Sequence, residues 1–82
     1  MMNDEYKAVS CELHSQYELA IMRKQMLRIK WLDSNKEPHI SCVLPEDIFT
    51  RNHAEYLLVT NATGDKIELR LDKITDTSPV TE

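Results

Sequence analysis

The chain has 82 residues, with 10 basic and 14 acidic side chains and a formal charge of −4. That length supports one small domain. The acidic balance argues against a broad, strongly basic nucleic-acid binder. A hydrophobic content of 41% with a single glycine is globular rather than low-complexity, and no apolar run reaches the roughly 18 residues that a membrane span requires. The opening MMNDEYKAVS has neither a basic n-region nor an apolar h-region. The expectation is a soluble, cytoplasmic domain whose two cysteines, Cys11 and Cys42, are free thiols packed as small buried hydrophobes.

In chain order, residues 1–9 are polar and expected to be flexible. A helix is predicted over 10–24. Leu13, Tyr17, Ala20 and Ile21 recur at helical spacing, Ser10 suits the N-cap and Glu12 the first turn, and Arg23 and Lys24 suit the C-terminal end. From Met26 the period becomes two. Leu27, Ile29 and Trp31 alternate with Arg28 and Lys30, which places Trp31 in the core. Asp33-Ser34-Asn35-Lys36 is turn chemistry. A second strand follows Pro38, with Ile40, Cys42 and Leu44 alternating with Ser41 and Val43; Pro45-Glu46-Asp47 breaks or bends it. Residues 55–60 form an apolar third strand. The 61–65 turn holds Gly64 where positive φ is expected, and Ile67, Leu69 and Leu71 mark a fourth strand. Ile74-Thr75 is a short fifth strand, and residues 76–82 are expected to be a flexible tail.

One helix followed by about five short strands fits a small barrel, because curling removes bare sheet edges. The gap at 61–65 is too short for the helix that an OB-fold carries between its third and fourth strands. A helix ahead of all the strands fits an Sm-like barrel, spanning residues 26–75 of a single domain over 1–82.

Four segments carry a more specific signal: Met2-Asn3-Asp4 with Tyr6 and Cys11; Glu18-Leu19-Ala20; Glu55-Tyr56-Leu57-Leu58-Val59; and Glu68-Leu69-Arg70-Leu71-Asp72-Lys73-Ile74-Thr75. In this order they resemble the Rof (YaeO) family, small inhibitors of the transcription terminator Rho. The resemblance implies an Sm-like barrel with an N-terminal helix. It also implies binding to the N-terminal, RNA-binding part of Rho, so that RNA cannot load and termination is blocked. By position, the implied contact residues are Glu12, His14, Ser15, Gln16 and Glu18 on the helix, with Arg51, Asn52 and His53 in a loop before the central strand. Charge is polarised in the same sense. Residues 1–20 carry a net −3 and residues 21–37 a net +3, and an acidic surface suits a competitor for an RNA-binding site.

Other chemistries fit less well. Cys11-x-x-His14 and His39-x-x-Cys42 contain the donors of a structural zinc, but His39 and Cys42 have opposite parity on a strand, so no metal or cofactor is expected. Adjacent Glu46 and Asp47 make a poor acid–base pair, and one glycine cannot build a phosphate loop, so the expectation is a non-enzyme. The alternative reading is an Sm-like RNA-binding module using Arg28, Lys30 and Trp31. The favoured expectation is a monomer that binds Rho, with no direct nucleic-acid or membrane contact.

Overall fold

The computed structural model describes residues 9–80. The expectation of a flexible segment over residues 1–8 lies outside them. Val9 packs, half-buried, against the core.

Helix α1 spans Cys11–Arg23. Ser10 is its N-cap in extended conformation, and its hydroxyl accepts the Leu13 amide at 3.2 Å. Lys24 closes the helix in the left-handed region at φ 53°. Its N–H and that of Gln25 return to the Ile21 and Ala20 carbonyls. Five strands follow: β1 Leu27–Leu32, β2 Pro38–Arg51, β3 Ala54–Thr60, β4 Lys66–Arg70 and β5 Ile74–Pro79. They form one antiparallel sheet in the order β4-β3-β2-β1-β5, with the 3-10 turn Leu71–Lys73 joining the two edge strands. The fold is mainly β, an N-terminal helix followed by a small five-stranded Sm-like barrel.

β2 organises the barrel. Its first half pairs with β1 and its second half with β3, and the register shifts between Pro45 and Asp47. The expected break at Pro45-Glu46-Asp47 is therefore a bulge inside one 14-residue strand. Glu46 at the bulge accepts from Thr60 Oγ1 and pairs with Lys66 Nζ at 2.9 Å.

The expected face of this strand is inverted. Residues directly opposite in an antiparallel pair share a face. Leu27 lies opposite Val43 and Ile29 opposite Ser41, so Val43 turns inward and Ile40 and Cys42 turn outward beside Lys30 and Arg28. Val43 is 0% exposed and Ile40 56%. Counting apolar residues favoured Ile40-Cys42-Leu44; the partner strand decides for Val43. Past the bulge, Ile48 returns to the inward side opposite Leu57.

Two further segments differ from expectation. The loop before β3 is a hairpin turn of only two residues, Asn52 and His53, both left-handed at φ 51° and 65°. The supposed flexible tail is strand through Pro79, with Ser78 opposite Arg28 and Thr77 opposite Ile29. A polar segment suffices there because an edge strand needs backbone pairing and only one covered face. The 61–65 turn matches expectation. Gly64 has φ 89°, and the Asn61 side chain accepts from the Thr63 and Asp65 amides.

The core joins Tyr17 and Ala20 of α1 to Leu27, Ile29, Val43, Leu57, Val59, Leu69 and Leu71. Trp31, expected inside, is half-buried at the rim and stacks on His39 at 5.4 Å. Tyr17 fixes the helix to the last strand: its ring is 1% exposed and its hydroxyl lies 3.1 Å from Thr77 Oγ1.

Burial pushes the Tyr17 phenol above its ordinary value of 10.0, and the bond to Thr77 offsets only part of that. The folded chain therefore holds Tyr17 protonated where the unfolded chain releases the proton. This contribution is complete below the unfolded value and is lost as pH rises through the folded one. Tyr17→Phe is expected to lower stability by about 1 kcal/mol at neutral pH, for the lost hydrogen bond. It should also flatten the decline in urea midpoint between about pH 9 and about pH 11. A parent-like decline in the variant would assign the alkaline sensitivity to other groups.

Candidate protein-binding surface

The residues implied as contacts do not form one patch. By helical periodicity His14 and Glu18 lie on one flank of α1, Glu12 and Gln16 on the other, and Ser15 between them. Glu12, Ser15, Gln16 and Glu18 are exposed. Gln16 lines a hollow with Arg23, Gln25 and Thr77, facing β5. Glu18 lines another with Asp47 and Ile48, facing β2.

His14 joins the helix to the hairpin. Its Nδ1 is 3.4 Å from a Glu18 carboxylate oxygen and its Nε2 is 3.3 Å from one of Glu55. Glu55 is the second residue of β3, directly after the Asn52-His53 turn and Ala54. The structure thus brings His14, Glu18 and the hairpin together.

Arg51 belongs to the opposite face of that hairpin. Its guanidinium makes two hydrogen bonds to the Glu68 carboxylate, at 2.9 and 3.1 Å. It also lies 5.0 Å from the Phe49 ring centroid and 5.5 Å from that of Tyr56. Phe49 and Tyr56 are stacked cross-strand partners. Glu68 holds the Arg51 cation more firmly protonated, and Arg51 in turn lowers the Glu68 carboxyl below its ordinary range. Arg51 is therefore a planar group fixed against β3 and β4, not a loose loop cation.

Glu55, Phe49, Tyr56 and Glu68 were not singled out as site residues from the sequence. For the first three the signal was the turn; Glu68 comes from β4, beyond that hairpin. Once Asn52-His53 is taken as a two-residue hairpin, counting outward pairs Arg51 with Ala54, Thr50 with Glu55 and Phe49 with Tyr56.

Cys11 is exposed at the helix start, against the expectation of burial, and Cys42 is half-buried; both are free thiols. His39 bonds to the Asp33 carboxylate at 2.8 Å. Among the described residues no group of three or more His, Cys, Asp or Glu side chains is placed to hold a metal ion.

The architecture defines the class: a small Sm-like β-barrel carrying an N-terminal helix. The chain is 38% identical over 77 residues to Protein rof of Escherichia coli (strain K12), covering 94% of this chain and 86% of that one. Protein rof of Shigella flexneri matches with the same identity and coverage. The chain belongs to the Rof family. No protein-family model matches it. Among solved structures, the proteasome accessory factor B/C (PafBC) of Arthrobacter aurescens contains a similar fold, with a TM-score of 0.77 at 15% identity. That match covers 93% of this chain but 12% of the other, and its likeness is one of fold alone.

Proposed function

We propose that the chain is an antiterminator. It binds the transcription termination factor Rho at the N-terminal RNA-binding region and prevents RNA from loading. It acts by occupancy rather than chemistry, as a cytoplasmic monomer without a cofactor. Membership of the Rof family carries this reading. The exposed carboxylates Glu12 and Glu18, with Glu55 beside the hairpin, support it, because a surface that binds RNA is basic and an acidic competitor complements it.

The test is competition. The chain should prevent Rho from retaining a C-rich single-stranded RNA in filter binding, while binding that RNA poorly itself at moderate salt. Gel filtration should give a monomer. Undiminished RNA binding by Rho at saturating chain would overturn the proposal.

A second reading, an RNA-binding Sm-like module, draws on one observation. A hollow of about 360 Å³ is lined by Trp31, Tyr56, Arg70 and Lys73 among others, and so combines aromatic and basic side chains. Tight RNA binding by the chain without Rho would select that reading.

A further inference from the structure

The hollow between α1 and β2 combines two kinds of lining within about 310 Å³. Glu18, Ile21 and Met22 come from α1 at i, i+3 and i+4, so they share one helix face. Asp47 and Ile48 come from β2. Two carboxylates from two elements therefore stand beside three apolar side chains. The β2 bulge separates Asp47 from its neighbour. Glu46 is held by Thr60 and Lys66, whereas Asp47 accepts the Ile48 amide through Oδ1 at 2.9 Å, which orients its carboxylate without neutralising it. Glu18 approaches His14 through one oxygen, Oε2, and its side chain is 59% exposed. Met22 is 77% exposed, the most open of the large apolar residues among those described.

The lining selects its occupant. A phosphate or an acidic peptide would meet two carboxylates. A purely apolar side chain would strip water from both and leave them without a partner. A lysine or arginine carries an aliphatic stem and a cationic head, and so matches both parts of the lining. The stem covers Ile21, Met22 and Ile48, and the head donates to Glu18 on one side and Asp47 on the other. Methionine, unbranched and polarisable, adapts to such a stem.

We propose that this hollow receives one long basic side chain, a lysine or an arginine, from the partner protein, and that this insertion anchors the interface. The inference rests on the proposed binding to Rho and names the contact through which the chain holds that basic surface. It adds Asp47 and Met22 to the contact residues. It also gives the interface an apolar component that long-range attraction between opposite charges lacks.

The experiment measures association and dissociation rates on immobilised Rho, at low and high salt, for the parent, Asp47→Asn, Met22→Ala and Glu37→Gln. Asparagine keeps a carbonyl oxygen for the Ile48 amide, and alanine at the exposed position 22 preserves the helix, so each variant should fold, which circular dichroism checks. Glu37→Gln removes an exposed carboxylate from the turn before β2 and controls for net charge. Asp47→Asn and Met22→Ala should each weaken binding by roughly fivefold or more, mainly through faster dissociation, while Glu37→Gln stays within about twofold of the parent. Met22→Ala changes no charge, so its loss should persist at high salt, whereas that of Asp47→Asn should narrow. Parent-like dissociation by either Met22→Ala or Asp47→Asn, in a chain that still binds Rho, overturns the inference alone. Absence of Rho binding by the parent overturns the functional proposal, and the inference with it.

Discussion

If the chain inhibits Rho as proposed, Glu18→Lys should weaken that inhibition strongly while leaving the fold intact. Glu18 is exposed and makes its ion pair at the rim of the helix, so the replacement leaves Tyr17 and Ala20 undisturbed in the core. The new lysine meets a basic partner with repulsion and replaces one of the two carboxylates beside His14 with a cation, a change of two charge units. Loss of a desolvated interfacial charge costs on the order of 2–5 kcal/mol, and loss of a rim charge mainly slows association. Reversal should reach at least the lower end of that range, roughly a thirtyfold loss. Glu12→Lys should weaken binding less. Glu12 lies on the far flank of the helix from the hairpin, and its first-turn carboxylate also complements the helix dipole, so part of its effect is a stability loss of about 0.3–1 kcal/mol. Glu37→Lys is the control, because it sits in the turn at the opposite end of the 14-residue β2 from the hairpin. The difference between Glu18→Lys and the parent should narrow at high salt through screening. The assay is displacement of a C-rich RNA from Rho. If Glu18→Lys and Glu12→Lys inhibit as well as the parent while remaining folded, the acidic-helix contact is wrong, and the Asn52-His53 turn becomes the first place to look.

How much of this surface was legible follows from the range of the interactions involved. The helix was legible because its determinants are local: the Ser10 cap, the Tyr17 and Ala20 spacing, and the Lys24 exit all lie within one segment. The 61–65 turn was legible for the same reason, since Asn61 and Gly64 act on their own neighbours. The extension of strand β5 beyond Ile74-Thr75 was not. Its residues 76–79 are polar, and they are ordered by pairing with β1 almost fifty residues earlier, which leaves no apolar alternation to detect. The site suffered similarly. His14 and Gln16 look equivalent along a helix, and only the packing of α1 on β2 and β3 sends one toward Glu55 and the other toward Thr77. Arg51 read as a loop cation because Glu68, 17 residues later, is brought to it by β3 and β4.

The inverted face of β2 gives the second large effect. Val43→Asp should prevent folding, whereas Ile40→Asp should be tolerated. Alternation in the sequence suggested the reverse, with Ile40 inside and Val43 outside. The register with β1 places Val43 opposite Leu27, fully enclosed, and Ile40 opposite Lys30, facing water. An unpaired carboxylate at position 43 would be buried among Leu27, Ile29, Leu57 and Val59, with no buried polar or charged residue nearby to compensate among the described residues. Even after relaxation a buried charge costs several kcal/mol, against a total stability of about 5–15 kcal/mol for a domain, with a chain of this size at the low end. Protonation of the aspartate would lessen the electrostatic cost but leave a polar group without a partner and the lost valine packing. At position 40 the carboxylate stays hydrated and faces Lys30, so the change should fall within about 0.5 kcal/mol of the parent. Leu57→Ala supplies a graded control for the same core, with an expected loss of about 2–5 kcal/mol. Urea denaturation followed by circular dichroism, with amide chemical-shift dispersion as the check on folding, separates the outcomes. A folded Val43→Asp alongside an unfolded Ile40→Asp would mean that the strand is paired one residue out of the register described.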